Sequence, residues 1–372
     1  MPALELFTEL AAIPSPPGDE RAVADRLAAE LEGLGVALDE DDCGARIGST
    51  IGNLYGRVEG TATGTPLFFC AHLDTVPPTG SIEPVVDDDG FVRNAAGTIL
   101  GADNKAAVVA MVEAVRRVLA EQRRHAGIEL VFTPKEEVGL IGAKEFDVGR
   151  LSARAGYVYD MAAPIGTVIL AAPSARKIDF RFHGRAAHSG MYPEEGRSAI
   201  AAAARAISDF RLGRLDDETT ANVGAITGGT ARNIVPEWCT FEAEARSLDD
   251  RKLADVIEEM LEAATFAASL AECDLETEVG AEYRAYRFGR DDEVVRLAVE
   301  ALERTGHPLR FETTGGAADA NVFNEHGLAC LNLANGMTDI HTPDERIAVA
   351  DLDAMVEVTL ALIDAARDGA DA

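Results

Sequence analysis

The sequence predicts an α/β protein in which a mostly parallel-sheet domain is interrupted by a smaller α+β domain. Three observations carry this reading. In residues 1–174 and 288–372, short apolar runs of strand length alternate with helical periods, the pattern of a parallel sheet covered by helices. Between them, over residues 175–287, apolar and polar residues alternate one by one, as in antiparallel strands buried on one side. Several apolar runs of the outer segments also end on His, Asp or Glu, where a strand hands its last side chain to a cleft.

Taken in order, Asp19 is expected to cap a helix whose Val23, Leu27, Leu31 and Leu34 share one face, with Gly35 as its stop. A strand over 67–71 precedes a helix with Val108, Met111, Val112, Val115 and Leu119 turned inward, and a second strand covers 128–133. After Pro173 the pattern changes. Ile178, Phe180 and Phe182 alternate with Lys177, Asp179, Arg181 and His183, and Cys239, Phe241, Ala243 and Ala245 alternate with Thr240, Glu242, Glu244 and Arg246. Helices near 198–210 and 250–268 complete a β-α-β-β-α-β, ferredoxin-like layer. The outer fold resumes with strands near 308–311 and 329–333. It ends in a helix bearing Leu352, Met355, Val356, Leu362 and Ile363.

Composition narrows the classes of function. At 372 residues the chain is long enough for two domains. A net charge of −30 repels nucleic acid and anionic membrane surfaces, so neither is expected as a partner. No basic amphipathic leader, signal-like stretch or span of about 20 apolar residues stands out, and the expected location is the cytoplasm. Five cysteines, an odd number without CxxC spacing, read as reduced structural thiols.

Five segments carry the chemistry: Ala71-His72-Leu73-Asp74-Thr75, Gly101-Ala102-Asp103-Asn104-Lys105, Pro134-Lys135-Glu136-Glu137-Val138-Gly139, Tyr157-Val158-Tyr159-Asp160 and Ile340-His341-Thr342. Two His, one bridging carboxylate and two terminal carboxylates suit a pair of divalent ions about 3.5–4 Å apart, with room for a bridging water. His72, Asp103, Glu137, Asp160 and His341 supply that set. Residues two apart in an extended segment face the same way, so Asp74 is expected to reach the His72 imidazole and orient it. Glu136 and Glu137 point apart. With Glu137 on metal, Glu136 is free to take a proton from the bridging water and return it to the leaving amine. Five converging carboxylates without cations would repel one another, which also argues for two metal ions.

These residues, in this order, resemble the di-zinc exopeptidase family of peptidase T, bacterial glutamate carboxypeptidase and succinyl-diaminopimelate desuccinylase. The resemblance runs over nearly the whole chain and is nearest to the peptidase T-like branch, because the fourth ligand is Asp160 where many relatives carry Glu. It implies that His72 and Asp160 hold one ion, Glu137 and His341 the other, that Asp103 bridges, and that the Asp103–Asn104 peptide is cis. Asn104 stands where Asp is common. Zinc is the implied metal, and cobalt and manganese fit the same ligands. His188, in Ala186-Ala187-His188-Ser189-Gly190, resembles the family's lid histidine, an oxyanion donor delivered across a homodimer formed by the inserted domains. Asn233, in the loop Gly228-Gly229-Thr230-Ala231-Arg232-Asn233, and Arg246 resemble substrate-recognising groups. The loop Gly315-Gly316-Ala317-Ala318-Asp319-Ala320-Asn321 is expected to line the pocket. Thr314 stands where peptidase T carries Arg, which leaves strict tripeptidase specificity unsupported. The implied activity is hydrolysis of short peptides, as an aminopeptidase. The alternatives are an N-acyl amino acid amidohydrolase on the same site and a non-catalytic metal- or peptide-binding relative, against which an intact Glu136 argues.

Overall fold

A computed structural model describes residues 2–368 of the protein. The chain packs into two units. One runs up to Leu170 and takes in Arg287–Thr313 and the chain from Ala317 onward; the other comprises Ala171–Tyr286 together with Thr314–Gly316. Those three residues, read from sequence as part of the outer fold, thus group with the second unit.

The first unit is built on a sheet ordered Leu38–Glu40, Leu54–Val58, Ile128–Thr133, Leu67–His72, Ala155–Val158, Ala329–Leu333, Thr167–Ala172. Its centre is parallel: Leu67–His72 runs parallel to both Ile128–Thr133 and Ala155–Val158, and Ala329–Leu333 parallel to Ala155–Val158. Leu67–His72 and Ile128–Thr133 are buried at every position, as strands covered on both faces must be. Adjacent Phe68 and Phe69 illustrate the two faces. Phe68 meets Phe323 of the helix Asp319–Glu325, with ring centroids 5.1 Å apart, whereas Phe69 lies against Tyr157 and Tyr159 in the main core. Gly156 makes room for the Phe68 ring, since a Cβ there would stand 2.3 Å from it.

The helix Ala102–Ala120 packs on Leu67–His72, on the N-terminal helix Pro2–Ala11 and on the last helix, Val349–Asp368. Leu352, Met355, Val356, Leu362 and Ile363 are all buried. Leu119, expected inward, is exposed. The second helix spans Arg21–Gly33 and buries Val23, Leu27 and Leu31. Its N-cap is Glu20, not Asp19, and the Glu20 carboxylate is turned away to accept from the Gly18 N–H at 2.6 Å and the Ser49 hydroxyl at 2.7 Å. Pro84–Val86, Phe91–Asn94 and Arg346–Ala348 form a small antiparallel sheet that the sequence patterning did not reveal.

The second unit is an antiparallel sheet ordered Gly213–Arg214, Thr219–Gly228, Trp238–Ser247, Ser174–His183, Asp274–Tyr283. Apart from the two-residue edge strand, this is the expected β-α-β-β-α-β order. Phe180, Phe182, Phe241, Ala243 and Ala245 form its core with residues from the helices Ala199–Asp209 and Asp250–Ala271. Ser198 and Asp249 cap those helices, accepting from the N–H groups of Ala201 and Arg251. Among the described residues no helix is long and apolar enough to cross a membrane.

Candidate active site

Parallel strands deliver their carboxyl ends to one edge of the sheet, where open α/β proteins place their ligands. His72 ends Leu67–His72, Glu136 and Glu137 follow Ile128–Thr133, and Asp160 follows Ala155–Val158. Asp103 joins them from the first turn of Ala102–Ala120, where the Asp103–Asn104 peptide is cis and the backbone is not helical, and His341 from the loop before Arg346–Ala348.

The two oxygens of Asp103 face two different imidazoles. Its Oδ1 lies 3.2 Å from Nε2 of His72 and its Oδ2 lies 3.2 Å from Nε2 of His341. Asp160 lies 3.9 Å from the same nitrogen of His72, and Glu137 lies 3.1 Å from that of His341. The site therefore divides into two halves sharing one carboxylate. Donor atoms of His72, Asp103 and Glu137, and separately of His72, Glu136 and Asp160, lie within 4.8 Å of one another. The second grouping brings Glu136 as near to His72 and Asp160 as a ligand would come.

The electrostatics fit a doubly cationic centre. Burial pushes the Asp160 carboxyl up to about 7, with the Asp103 charge adding to it. Desolvation holds Glu136 well above the usual carboxylate range, against the opposing pull of His72. Burial opposes a charge on His72, yet the nearby carboxylates of Asp103, Asp160 and Asp74 outweigh it and raise that imidazole well above its ordinary value. Hydrogen bonds to Asp103 and Glu137 lift His341 to about 10. Without cations, the cluster balances its carboxylates only by loading its histidines and acids with protons; two divalent ions among these oxygens and nitrogens offer the same compensation.

Asp74 reaches the His72 ring as expected and has further partners. The His72 Nδ1 meets the backbone carbonyl of Asp74 at 2.9 Å, which leaves Nε2 to face Asp103, whereas the Asp74 carboxylate is 3.5 Å from that ring. The carboxylate also accepts from the backbone N–H of Glu136 at 2.9 Å and of Glu137 at 3.1 Å. It thus ties the end of one strand to the turn after the next. Asn104 is buried with neither side-chain polar atom hydrogen-bonded.

Two positioning residues escaped the sequence reading. Glu345 is buried, and its carboxylate accepts from the N–H groups of Leu100 and Gly101 at 2.8 Å and of Asp103 at 3.0 Å. It pins the Asp103 loop to the His341 loop. Asn332, a polar residue inside an apolar strand, exchanges hydrogen bonds with the Asp160 backbone in both directions, at 3.0 and 2.9 Å. Its place in the apolar run was the available signal.

His188, Asn233 and Arg246 belong to the second unit. The loops of the first two are joined: the Ser189 N–H donates to the Asn233 carbonyl at 3.0 Å, and His188 forms a β-bridge with Ile234. His188 is exposed, and its Nδ1 accepts from the Gly190 N–H at 3.2 Å, so the neutral ring carries its proton on Nε2. Arg246 reaches the Gly315 carbonyl and Glu244 with its terminal nitrogens, and its Nε is buried without a partner.

A sequence model of peptidase family M20/M25/M40 matches residues 68–365. The chain belongs to this family. It is 39% identical over 363 residues to YqjE, an uncharacterised protein of Bacillus subtilis, with 98% of each chain covered. Its structure resembles that of the aminopeptidase PepT from Bacillus cereus, with a TM-score of 0.89 at 37% identity, and that of a tripeptidase from Staphylococcus aureus, with 0.93 at 34%. Each likeness covers 98% of both chains. With the family come metal-dependent hydrolysis of peptide bonds, of the peptidase T-like kind, and the pairing of a mostly parallel catalytic domain with a separate antiparallel lid domain.

Proposed function

We propose that this M20 peptidase is a cytoplasmic aminopeptidase acting on short peptides. The observation that carries the metal assignment is the Asp103 carboxylate, one oxygen toward each histidine. His72 and Asp160 would hold one divalent ion and Glu137 and His341 the other, with Asp103 shared between them; zinc is the expected metal, with cobalt or manganese able to serve. When bound, such a pair supplies Lewis acidity to the scissile carbonyl and acidifies water. Glu136, beside the ligand set, takes the proton of the attacking water and gives it to the leaving amine. Asp74 holds the Glu136 and Glu137 backbones in place. His188 of a second copy donates its Nε2–H to the developing oxyanion, and Asn233 and Arg246 recognise the substrate. The aminopeptidase reading is supported by the likeness to PepT and to the tripeptidase. Thr314, in place of the peptidase T Arg, is what keeps the N-acyl amino acid reading in view.

Zinc-loaded protein offered di- and tripeptides beside N-acyl amino acids, with products followed by mass spectrometry, is expected to release N-terminal residues. Turnover confined to N-acyl amino acids would replace the aminopeptidase by the deacylase. The role of His188 has its own test. Glu136→Gln and His188→Ala chains, each inactive as homodimers, are expected to regain activity on mixing, because one site of the heterodimer has its own Glu136 and borrows an intact His188. Verified heterodimers that stay inactive, or a fully active monomer, would remove His188 from the neighbouring site.

A further inference from the structure

Below the catalytic edge lies a buried carboxyl with no role in the scheme above. Asp319, at the start of the helix Asp319–Glu325, is 1% exposed. Its Oδ2 accepts from the Thr133 hydroxyl at 2.5 Å and from the Cys70 thiol at 3.7 Å, and its Oδ1 has no hydrogen-bond partner. Each of these partners matters by position. Thr133 is the last residue of Ile128–Thr133 and the register partner of His72; Cys70 lies two residues before His72 on the adjoining strand. The Thr133 carbonyl also accepts from the Leu73 N–H at 2.8 Å. One carboxyl therefore clamps the rung from which both His72 and the Glu136–Glu137 turn depart.

The link from that rung to Glu136 is short and stiff. Pro134 has a fixed φ, and Lys135 sits in the left-handed region at φ 58°. The Pro134, Lys135 and Glu136 carbonyls are all engaged, by the N–H groups of Gly142, Ile141 and Leu140. A displacement of Thr133 is thus passed to Glu136 with little slack. The helix bearing Asp319 is itself anchored to the sheet through Phe323 on Phe68, and Phe323 also packs on Phe146. A buried carboxyl with an unpartnered oxygen costs stability, and such costs are retained where placement is needed.

We propose that Asp319 is a positioning residue for Glu136, acting through its hydrogen bond from Thr133. This rests on the assignment of Glu136 as the proton carrier. The experiment measures kcat, KM and bound metal for Asp319→Ala, Asp319→Asn, Thr133→Val and Thr133→Ser, and repeats Asp319→Ala on a Glu136→Gln background. Asp319→Ala and Thr133→Val are expected to lower kcat about 10- to 100-fold, the scale of a misplaced reacting group, with KM and metal content unchanged. Asp319→Asn and Thr133→Ser, which can keep the bond, should recover most of that loss. On the Glu136→Gln background Asp319→Ala should lower the residual rate no further. Unchanged kcat in Thr133→Val, a near-isosteric variant that keeps the test valid if Asp319→Ala misfolds, would overturn the proposal. So would loss of metal, a change confined to KM, equal loss in Asp319→Ala and Asp319→Asn, or a further drop beside Glu136→Gln. Full activity of Glu136→Gln alone would instead overturn the role of Glu136, and the tether with it.

Discussion

Glu136→Gln is expected to lower kcat by about 10²–10⁴-fold, the usual share of general acid–base catalysis, while the protein keeps two divalent ions. The substitution is nearly isosteric and leaves the backbone N–H of Glu136 on Asp74. What disappears is a carboxylate able to accept and return a proton. The site places Glu136 in a desolvated position, and with no cation beside it burial raises its carboxyl well above the usual range. Metal analysis beside the kinetics is decisive, because Glu136 also stands within ligand reach of His72 and Asp160. Loss of an ion in Glu136→Gln would make the residue a ligand. Near-normal turnover would remove it from the proton path.

Elemental analysis of protein prepared without chelator is expected to find two zinc-class ions per chain. His72→Ala and His341→Ala should each lose one, and Asp103→Ala both, with activity abolished. The asymmetry follows from geometry: each imidazole faces one oxygen of Asp103, which stands 3.2 Å from both. A saturated wild-type protein with one ion would end the two-metal assignment. Retention of both ions by Asp103→Ala would show that the carboxylate does not bridge.

Most ligand candidates were legible because they follow an apolar strand or open a helix, so local pattern and chemistry coincide; His341, in a loop, was read as the second imidazole of the ligand set. The inserted unit was legible for a similar reason, since strict alternation around Phe180 and Phe241 leaves one face to bury. The supporting residues were hidden because their partners are remote in sequence. Glu345 looks like a solvated acid in a polar loop until the chain brings the N–H groups of Leu100, Gly101 and Asp103 to it. Asp319 looks like a helix-start carboxylate until Thr133 arrives. Asp74 does reach the His72 ring, but its bonds to the Glu136 and Glu137 N–H groups were hidden: alternation along a strand fixes which side a carboxylate faces, not every group it meets there. The Asp19 cap failed on the same ground, as the buried Glu20 one residue later took the N-terminal position and gave its carboxylate to Gly18 and Ser49.

The tie between the Glu345 carboxylate and the Asp103 loop also joins segments made far apart in time. A ribosome delivers His72, Asp103, Glu136, Glu137 and Asp160 in the first half of the chain, and the lid sequence is made before His341 and Glu345 follow. Without residues 341–345 the Asp103 carboxylate lacks the His341 imidazole at its Oδ2, and its loop lacks the Glu345 clasp. Closure of the proposed site thus waits on a segment that follows residues 171–286 in the chain.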